Sequence, residues 1–231
     1  MDLLLLLAVP VPPPDLALLG ELESETDVET PYGRVRELAR RRLGEKGIWV
    51  LPYFGEPDRT DPRASIWTAR EIGARWIVGW ESVVAISPHL LPGDNLIPHD
   101  YVDMVRRQPE TPCPGAGTPA YSEPFCPAMR RLLLGILPSA YPKGVYLATD
   151  GTFKETPSEA RAYERLGGDV LGVNLVPESA LAREAGLCFG AVLTVFDTAS
   201  GRPYRGAAKS AARGLRKVLE ALPRLSYRLG S

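Results

Sequence analysis

Between Thr156 and Phe196 the chain alternates helix, apolar run, helix and apolar run, and that order leaves few folds open. Thr156-Pro157-Ser158-Glu159 is a capping box with proline at the first helical position. The Thr156 hydroxyl can accept from the Glu159 amide, and the Glu159 carboxylate can reach back. The helix runs through Ala160, Tyr163 and Leu166 and stops at Gly167-Gly168. Asp169 to Val176 is an apolar run of strand length. Pro177 restarts a helix that stops at Gly186, and Leu187 to Phe196 is a second apolar run. This predicts a β–α–β unit whose strand ends face a common crevice. Ligands in such sheets sit just beyond the carboxyl ends of the strands. Asn174, near one end, and Asp197, past the other, are therefore candidate site residues.

Further strands are expected at Leu3 to Val9, Ile48 to Leu51, Trp76 to Ile86, Leu96 to Pro98 and Val145 to Thr149. Asp61-Pro62 opens a helix that ends at Gly73, and others are expected from Pro127 to Leu137 and Pro203 to Leu222. Alternating strands and helices predict an α/β fold: one central twisted mixed β-sheet flanked by helices on both faces. No repeat or linker divides the chain, so residues 1–231 read as a single domain. The stretch Gln108 to Pro119, rich in Pro, Gly and Thr, reads as a loop.

The 231 residues suit one α/β domain, and 45% hydrophobic with 24% charged residues is ordinary globular composition. A net charge of −1 argues against a nucleic-acid binder. The arginines between Arg34 and Lys46 are interrupted by Glu37 and Glu45 and read as a solvated face. The apolar start, Leu3 to Val9, is too short to span a membrane and lacks a basic leader, so it reads as a buried first strand ended by prolines. Cys113, Cys126 and Cys188 form no metal pattern and no even disulfide set. The expectation is a reducing cytoplasm, with Cys188 as a packing residue. His89 and His99, in or beside the Leu91-to-Asp94 turn, read as surface residues.

Seven segments in collinear order, TPYG (Thr30 to Gly33), RASIW (Arg63 to Trp67), LPGD (Leu91 to Asp94), IPHDYVDMVRRQP (Ile97 to Pro109), EPFCP (Glu123 to Pro127), ETPSEARAYERLGGDV (Glu155 to Val170) and VPESALAREAGLC (Val176 to Cys188), carry a family likeness. Together they resemble the trimeric purine nucleoside phosphorylases, and within them 5′-methylthioadenosine phosphorylase. The resemblance implies a homotrimer with sites near subunit interfaces. It also implies cleavage of a purine nucleoside to free base and pentose 1-phosphate, with no cofactor. The C1′–N9 bond breaks with oxocarbenium character, so such an enzyme needs a donor at purine N7, a ribose pocket and a phosphate site.

Carried over residue by residue, the resemblance makes Asp197 the catalytic group that serves the departing purine, protonated by burial to donate to N7. Its bland alternative is a turn aspartate before Thr198. Glu155 matches a base-contacting glutamate; its alternative is a helix-start acid favoured by the dipole. Lys154 stands in the family's phenylalanine slot, with Phe153 beside it, and Val173 takes the place of a methionine under the ribose. A histidine used near the 5′ substituent falls close to Thr118. The phosphate subsite departs in four places. The glycine-rich loop reads Val9 to Pro12, and proline has no amide to donate. An arginine and a histidine read Tyr53 and Phe54. The next strand reads Glu81-Ser82, and a hydroxyl residue reads Asn174. Glu81 puts a carboxylate where a dianion would sit. Phosphate as co-substrate is therefore doubtful. Two alternatives to phosphorolysis stand: a hydrolase in which Glu81 and Asn174 hold water, and a non-catalytic binding or scaffold protein.

Overall fold

The computed structural model describes residues 3–43, 46–53, 61–105, 123–150, 154–200 and 205–228. A ten-stranded mixed sheet runs through them. Its strands are β1 (Leu3–Ala8), β2 (Glu21–Thr30), β3 (Gly33–Leu43), β4 (Lys46–Pro52), β5 (Trp76–Ala85), β6 (Asn95–Leu96), β7 (Asp100–Asp103), β8 (Val145–Ala148), β9 (Val170–Gly172) and β10 (Cys188–Thr198). The helices are α1 (Pro62–Glu71), α2 (Pro127–Ile136), α3 (Pro157–Arg165), α4 (Glu178–Glu184) and α5 (Ala207–Arg228). The order is β2-β3-β4-β1-β5-β9-β8-β7, with β10 pairing with β5 and β6. Strands β4, β1, β5 and β10 run parallel, so their carboxyl ends share one edge.

The first strand shows why both faces are covered. Every residue of β1 is buried. Leu4 and Leu6 point into one core with Ala64, Ile66, Leu181 and Ala182 of α1 and α4. Leu3, Leu5 and Leu7 point into the other with Met129 and Leu133 of α2 and Leu215 and Leu219 of α5. A strand with successive side chains on opposite apolar faces reads as an unbroken apolar run.

The helix starts form as their sequences dictate. Thr156 and Glu159 make the reciprocal capping box at α3, and Asp61 caps α1 by accepting from the Arg63 amide at 2.9 Å. Other boundaries differ. The arginine-rich stretch is a strand, β3, paired antiparallel with β2 over the length of a hairpin. Its arginines are nonetheless largely solvated, and Arg34 and Arg42 pair with Asp27 and Glu23. Strand β9 stops at Gly172, because Val173 and Asn174 leave the ladder to bond a side chain described below. Helix α5 starts and ends later than the pattern predicts, through Pro223 to Arg228. Asp197 lies within β10, not past it.

The cysteine reading is overturned. Cys126 and Cys188 form a disulfide, with Cα atoms 5.2 Å apart across 62 residues of sequence. Three cysteines thus hold one pair, and Cys188 is a covalent partner. Cys113, Thr118, the Gln108-to-Pro119 loop, Phe54 and Phe153 lie outside the described residues. His89 is exposed as expected. His99 is half-buried, and its Nδ1 accepts from the Gly144 amide at 3.1 Å.

Candidate functional site

Two polar clusters form at the carboxyl edge of the sheet. The first is centred on Glu81, 1% exposed on β5. Its Oε1 accepts from the Val173 amide at 2.7 Å, the Asn174 amide at 3.1 Å and Asn174 Nδ2 at 3.0 Å. Its Oε2 accepts from the Tyr146 hydroxyl at 2.8 Å. The chain can leave β9 at Gly172 and wrap the carboxylate only because that residue lacks a side chain. A Cβ there would lie 2.6–2.7 Å from Tyr146 and from Glu81 Oε1. Burial pushes the Glu81 carboxyl up to about 7, against bonds from Val173, Tyr146 and Asn174 that pull it down. Burial, then the Glu81 charge, raises Tyr146.

Beside it lies a second buried carboxylate. Glu178, the first residue of α4, accepts from the Tyr53 hydroxyl. It too is pushed up to about 7, chiefly by burial, with Tyr53 opposing and the Glu81 charge adding. Tyr53 is itself raised by burial and by Glu178. Glu178 Oε2 and Asn174 Oδ1 are buried acceptors with no protein donor. The cluster is thus rich in acceptors: two carboxylates, an amide oxygen and two phenol oxygens. The residues bonded to the carboxylates are Tyr146, Asn174, Val173 and Tyr53, and none is a cation. Ser82 points elsewhere and donates to the Ala8 carbonyl at 3.3 Å.

The second cluster sits across β5 from the first. The register of β10 against β5 shifts between Val195 and Asp197, leaving Phe196 as an extra residue. Such a bulge re-aims the side chains that follow it. Asp197 Oδ2 accepts from Lys154 Nζ at 2.6 Å, and Oδ1 from the Thr198 amide at 2.8 Å. Both side chains are half exposed, at 46% and 51%. Partial burial raises the Asp197 carboxyl, but bonds from Lys154 and Thr198 outweigh it, and the net shift is downward. Asp197 is therefore ionised. The expectation that burial protonates it is corrected: its side chain stays in water beside an ammonium. Glu155 is buried, and its Oε1 accepts from the Ser200 amide at 2.5 Å. Ser200 Oγ donates to the Glu155 carbonyl, which ties the start of α3 to the end of β10.

The structure thus groups Glu81, Asn174 and the Val173 amide in one cluster, and Lys154, Glu155 and Asp197 along the other. Sequence reasoning missed Tyr146 and Glu178 as members and read Tyr53 only as the loss of an arginine. A tyrosine inside an apolar strand and a glutamate in a first helical turn look like packing and dipole pairing. Only their burial together identifies them. Among the described residues no group of three or more His, Cys, Asp or Glu side chains could hold a metal ion.

A family profile described as "Phosphorylase superfamily" matches residues 2–224. The chain belongs to that superfamily. It is 32% identical over 192 residues to the probable S-methyl-5′-thioinosine phosphorylase of Methanothermobacter thermautotrophicus, covering 80% of this chain and 68% of that one. It is also 32% identical over 200 residues to the 6-oxopurine nucleoside phosphorylase of Pyrococcus furiosus, covering 79% and 75%. To the S-methyl-5′-thioadenosine phosphorylase of Hyperthermus butylicus it is 28% identical over 93% of this chain and 87% of that one. A crystal structure of a mutant adenosine/methylthioadenosine phosphorylase from Schistosoma mansoni with adenine superposes with a TM-score of 0.88. At 21% identity, over all of this chain and 92% of the other, that likeness concerns the fold. The single-domain mixed sheet flanked by helices is the nucleoside phosphorylase fold.

Proposed function

We propose that the chain cleaves the N-glycosidic bond of a purine nucleoside. The observation that carries this reading is the corner formed by Lys154, Glu155 and Asp197 at the carboxyl edge of a phosphorylase-superfamily sheet. The purine would sit there, and the pentose would lie towards Val173 and Asn174. As the C1′–N9 bond breaks, its electron pair moves into the purine and the sugar becomes oxocarbenium-like, so donors at the base lower the barrier. The names of the Methanothermobacter and Pyrococcus relatives support a purine nucleoside as substrate. We further propose a homotrimer, as the family resemblance implies.

One observation favours water over phosphate as the nucleophile. The Val173 and Asn174 amides, which an oxyanion would need, already bond Glu81. Repulsion from Glu81 and Glu178 adds to this, since like charges buried together are costly. Two orphan acceptors, Asn174 Oδ1 and Glu178 Oε2, suit a donor such as water. Water would add to C1′ as the C1′–N9 bond breaks, its surplus proton passing to a carboxylate, and the departing purine anion would take a proton from solvent, giving free pentose and free base. Nucleoside cleavage is solution chemistry and fits a cytoplasmic protein, in keeping with the absence, among the described residues, of a helix long and apolar enough to cross a membrane. The Cys126–Cys188 bond weighs the other way, because disulfides are rare in the cytosol outside hyperthermophiles.

The test is base release from inosine, adenosine and their 5′-methylthio analogues, with and without phosphate, with the sugar product identified. Free pentose and indifference to phosphate are the expected results. Pentose 1-phosphate would restore phosphorolysis, and binding of nucleoside without turnover would make the chain a non-catalytic member. Light scattering should give three times 25.2 kDa.

A further inference from the structure

The Cys126–Cys188 disulfide forms part of the wall of a cavity of about 270 Å³. Ser179 and Arg183 of α4, together with Leu187 and Phe189, share that wall, and neither Glu81 nor Asp197 does. The cavity lies where β10 begins, roughly 30 Å of extended chain from Asp197 near the other end of that strand. Its volume falls below the range that drug-sized ligands fill, so it suits a smaller molecule. Hydrogen bonds hold its frame as well as the disulfide does. Arg183 donates to the Glu123 carbonyl, and the Cys126 amide donates to the Phe189 carbonyl at 2.8 Å. The start of α2 therefore stays tied to α4 and β10 when the sulfur–sulfur bond opens.

The two sulfurs are not equivalent. Cys126 is the N-cap of α2, yet its side chain makes no capping bond. A thiolate released there would meet the first-turn amides, which have no partner inside the helix, and the positive end of the helix dipole. Cys188 opens a strand, where no such field exists. Thiol–disulfide exchange favours attack on the sulfur whose partner leaves more easily, here Cys188. The wall also carries a group to receive the attacker. Ser179 is fully buried, and its Oγ has no hydrogen-bond partner among the described residues. Its hydroxyl can donate to an incoming thiolate. We propose that this cavity is an S-thiolation site for a small aliphatic monothiol, about the size of cysteine, which attacks Cys188 and is positioned by Ser179. The monothiol gives its proton to solvent, and its sulfur bonds Cys188 Sγ. The Cys126–Cys188 bond breaks, its electron pair leaves on Cys126 Sγ, and Cys126 is reduced as the monothiol is oxidised.

The test exposes the folded, unmodified protein to millimolar cysteine without oxygen, quenches in acid, alkylates free thiols and maps the peptides by mass spectrometry. Opened molecules should carry cysteine on Cys188 and the alkyl label on Cys126, in about threefold to tenfold excess over the reverse arrangement. Ser179→Ala removes a buried hydroxyl that has no partner, so the fold should keep its urea midpoint. The same variant should slow opening by cysteine about threefold or more. An adduct found chiefly on Cys126, or shared equally, overturns the inference. So does an opening rate that Ser179→Ala leaves unmoved. Opening only in urea, or only by a dithiol protein of the thioredoxin type, would show that the cavity admits no small thiol and overturns it too.

Discussion

Replacing Glu81 with glutamine should reverse its effect on stability with pH. The Glu81 carboxyl has an ordinary value of 4.5 when exposed and about 7 in the fold. A raised acid favours the folded state while protonated. Its contribution is fully present below about 4.5 and is lost as pH rises to about 7. Each pKa unit is worth about 1.4 kcal/mol, so the shift of roughly 2.5 units corresponds to about 3 kcal/mol. Glu178 follows the same course, to about 7. Glutamine imitates protonated Glu81: its oxygen can take the Val173 and Asn174 bonds, and its amide can donate to Tyr146. The Tyr146 hydroxyl then loses its acceptor, at a cost of about 1 kcal/mol. Glu81→Gln should therefore be about 1 kcal/mol less stable than the parent near pH 4 and about 2 kcal/mol more stable near pH 8. Urea denaturation followed by tryptophan fluorescence across this range measures both. The window is clear of Asp61 and Asp197. Burial raises both, but their bonds, chiefly from Arg63 and Lys154, bring the net shift down, so their contributions fade only below about pH 4. Parallel curves for parent and variant would refute the reasoning, as would parent stability that rises between pH 5 and 7.

Three other outcomes are expected. Millimolar phosphate or sulfate should neither raise the melting temperature nor stimulate base release; a rise of several degrees in differential scanning fluorimetry would count against the acceptor-rich cluster. Reduction of Cys126–Cys188, or its replacement by serine and alanine, should cost about 4 kcal/mol in chain entropy for a loop of 62 residues, seen as a lower urea midpoint. Thr194→Val should cost about 2–4 kcal/mol by the same measurement. It strips the acceptor from the Trp80 indole at 3.0 Å and the donor from Asn95 Oδ1 at 2.7 Å, both buried.

What could be read from the sequence had local causes. The α3 capping box lies within four consecutive residues, and β1 is apolar on both faces because both faces are covered. The β2–β3 hairpin escaped notice because its pattern sets acid against base. Glu23, Asp27 and Glu29 meet Arg34, Arg40 and Arg42 across the strands, and an apolar/polar alternation never appears. The disulfide escaped because two cysteines separated by 62 residues meet only when β10 passes the start of α2.

Position 81 shows how far residue identity carries and where it stops. A glutamate aligned with an anion subsite points to a changed site, and in the structure its carboxylate accepts from the Val173 and Asn174 amides. Its consequence depends on partners that no linear pattern names. Tyr146 arrives from β8, Glu178 from α4 and Tyr53 from the end of β4. Had Tyr53 been a cation, Glu178 would be an ordinary ion pair and Glu81 would face a neutralised neighbour. With phenols in place, both carboxyls titrate near 7. The edge of the sheet then holds proton acceptors poised close to neutral pH. Asp197, the aspartate first assigned to donate a proton, is ionised beside Lys154. Beside Asp197 the hydrogen-bond donor is Lys154, and the buried acceptors at this edge of the sheet are Glu81 and Glu178.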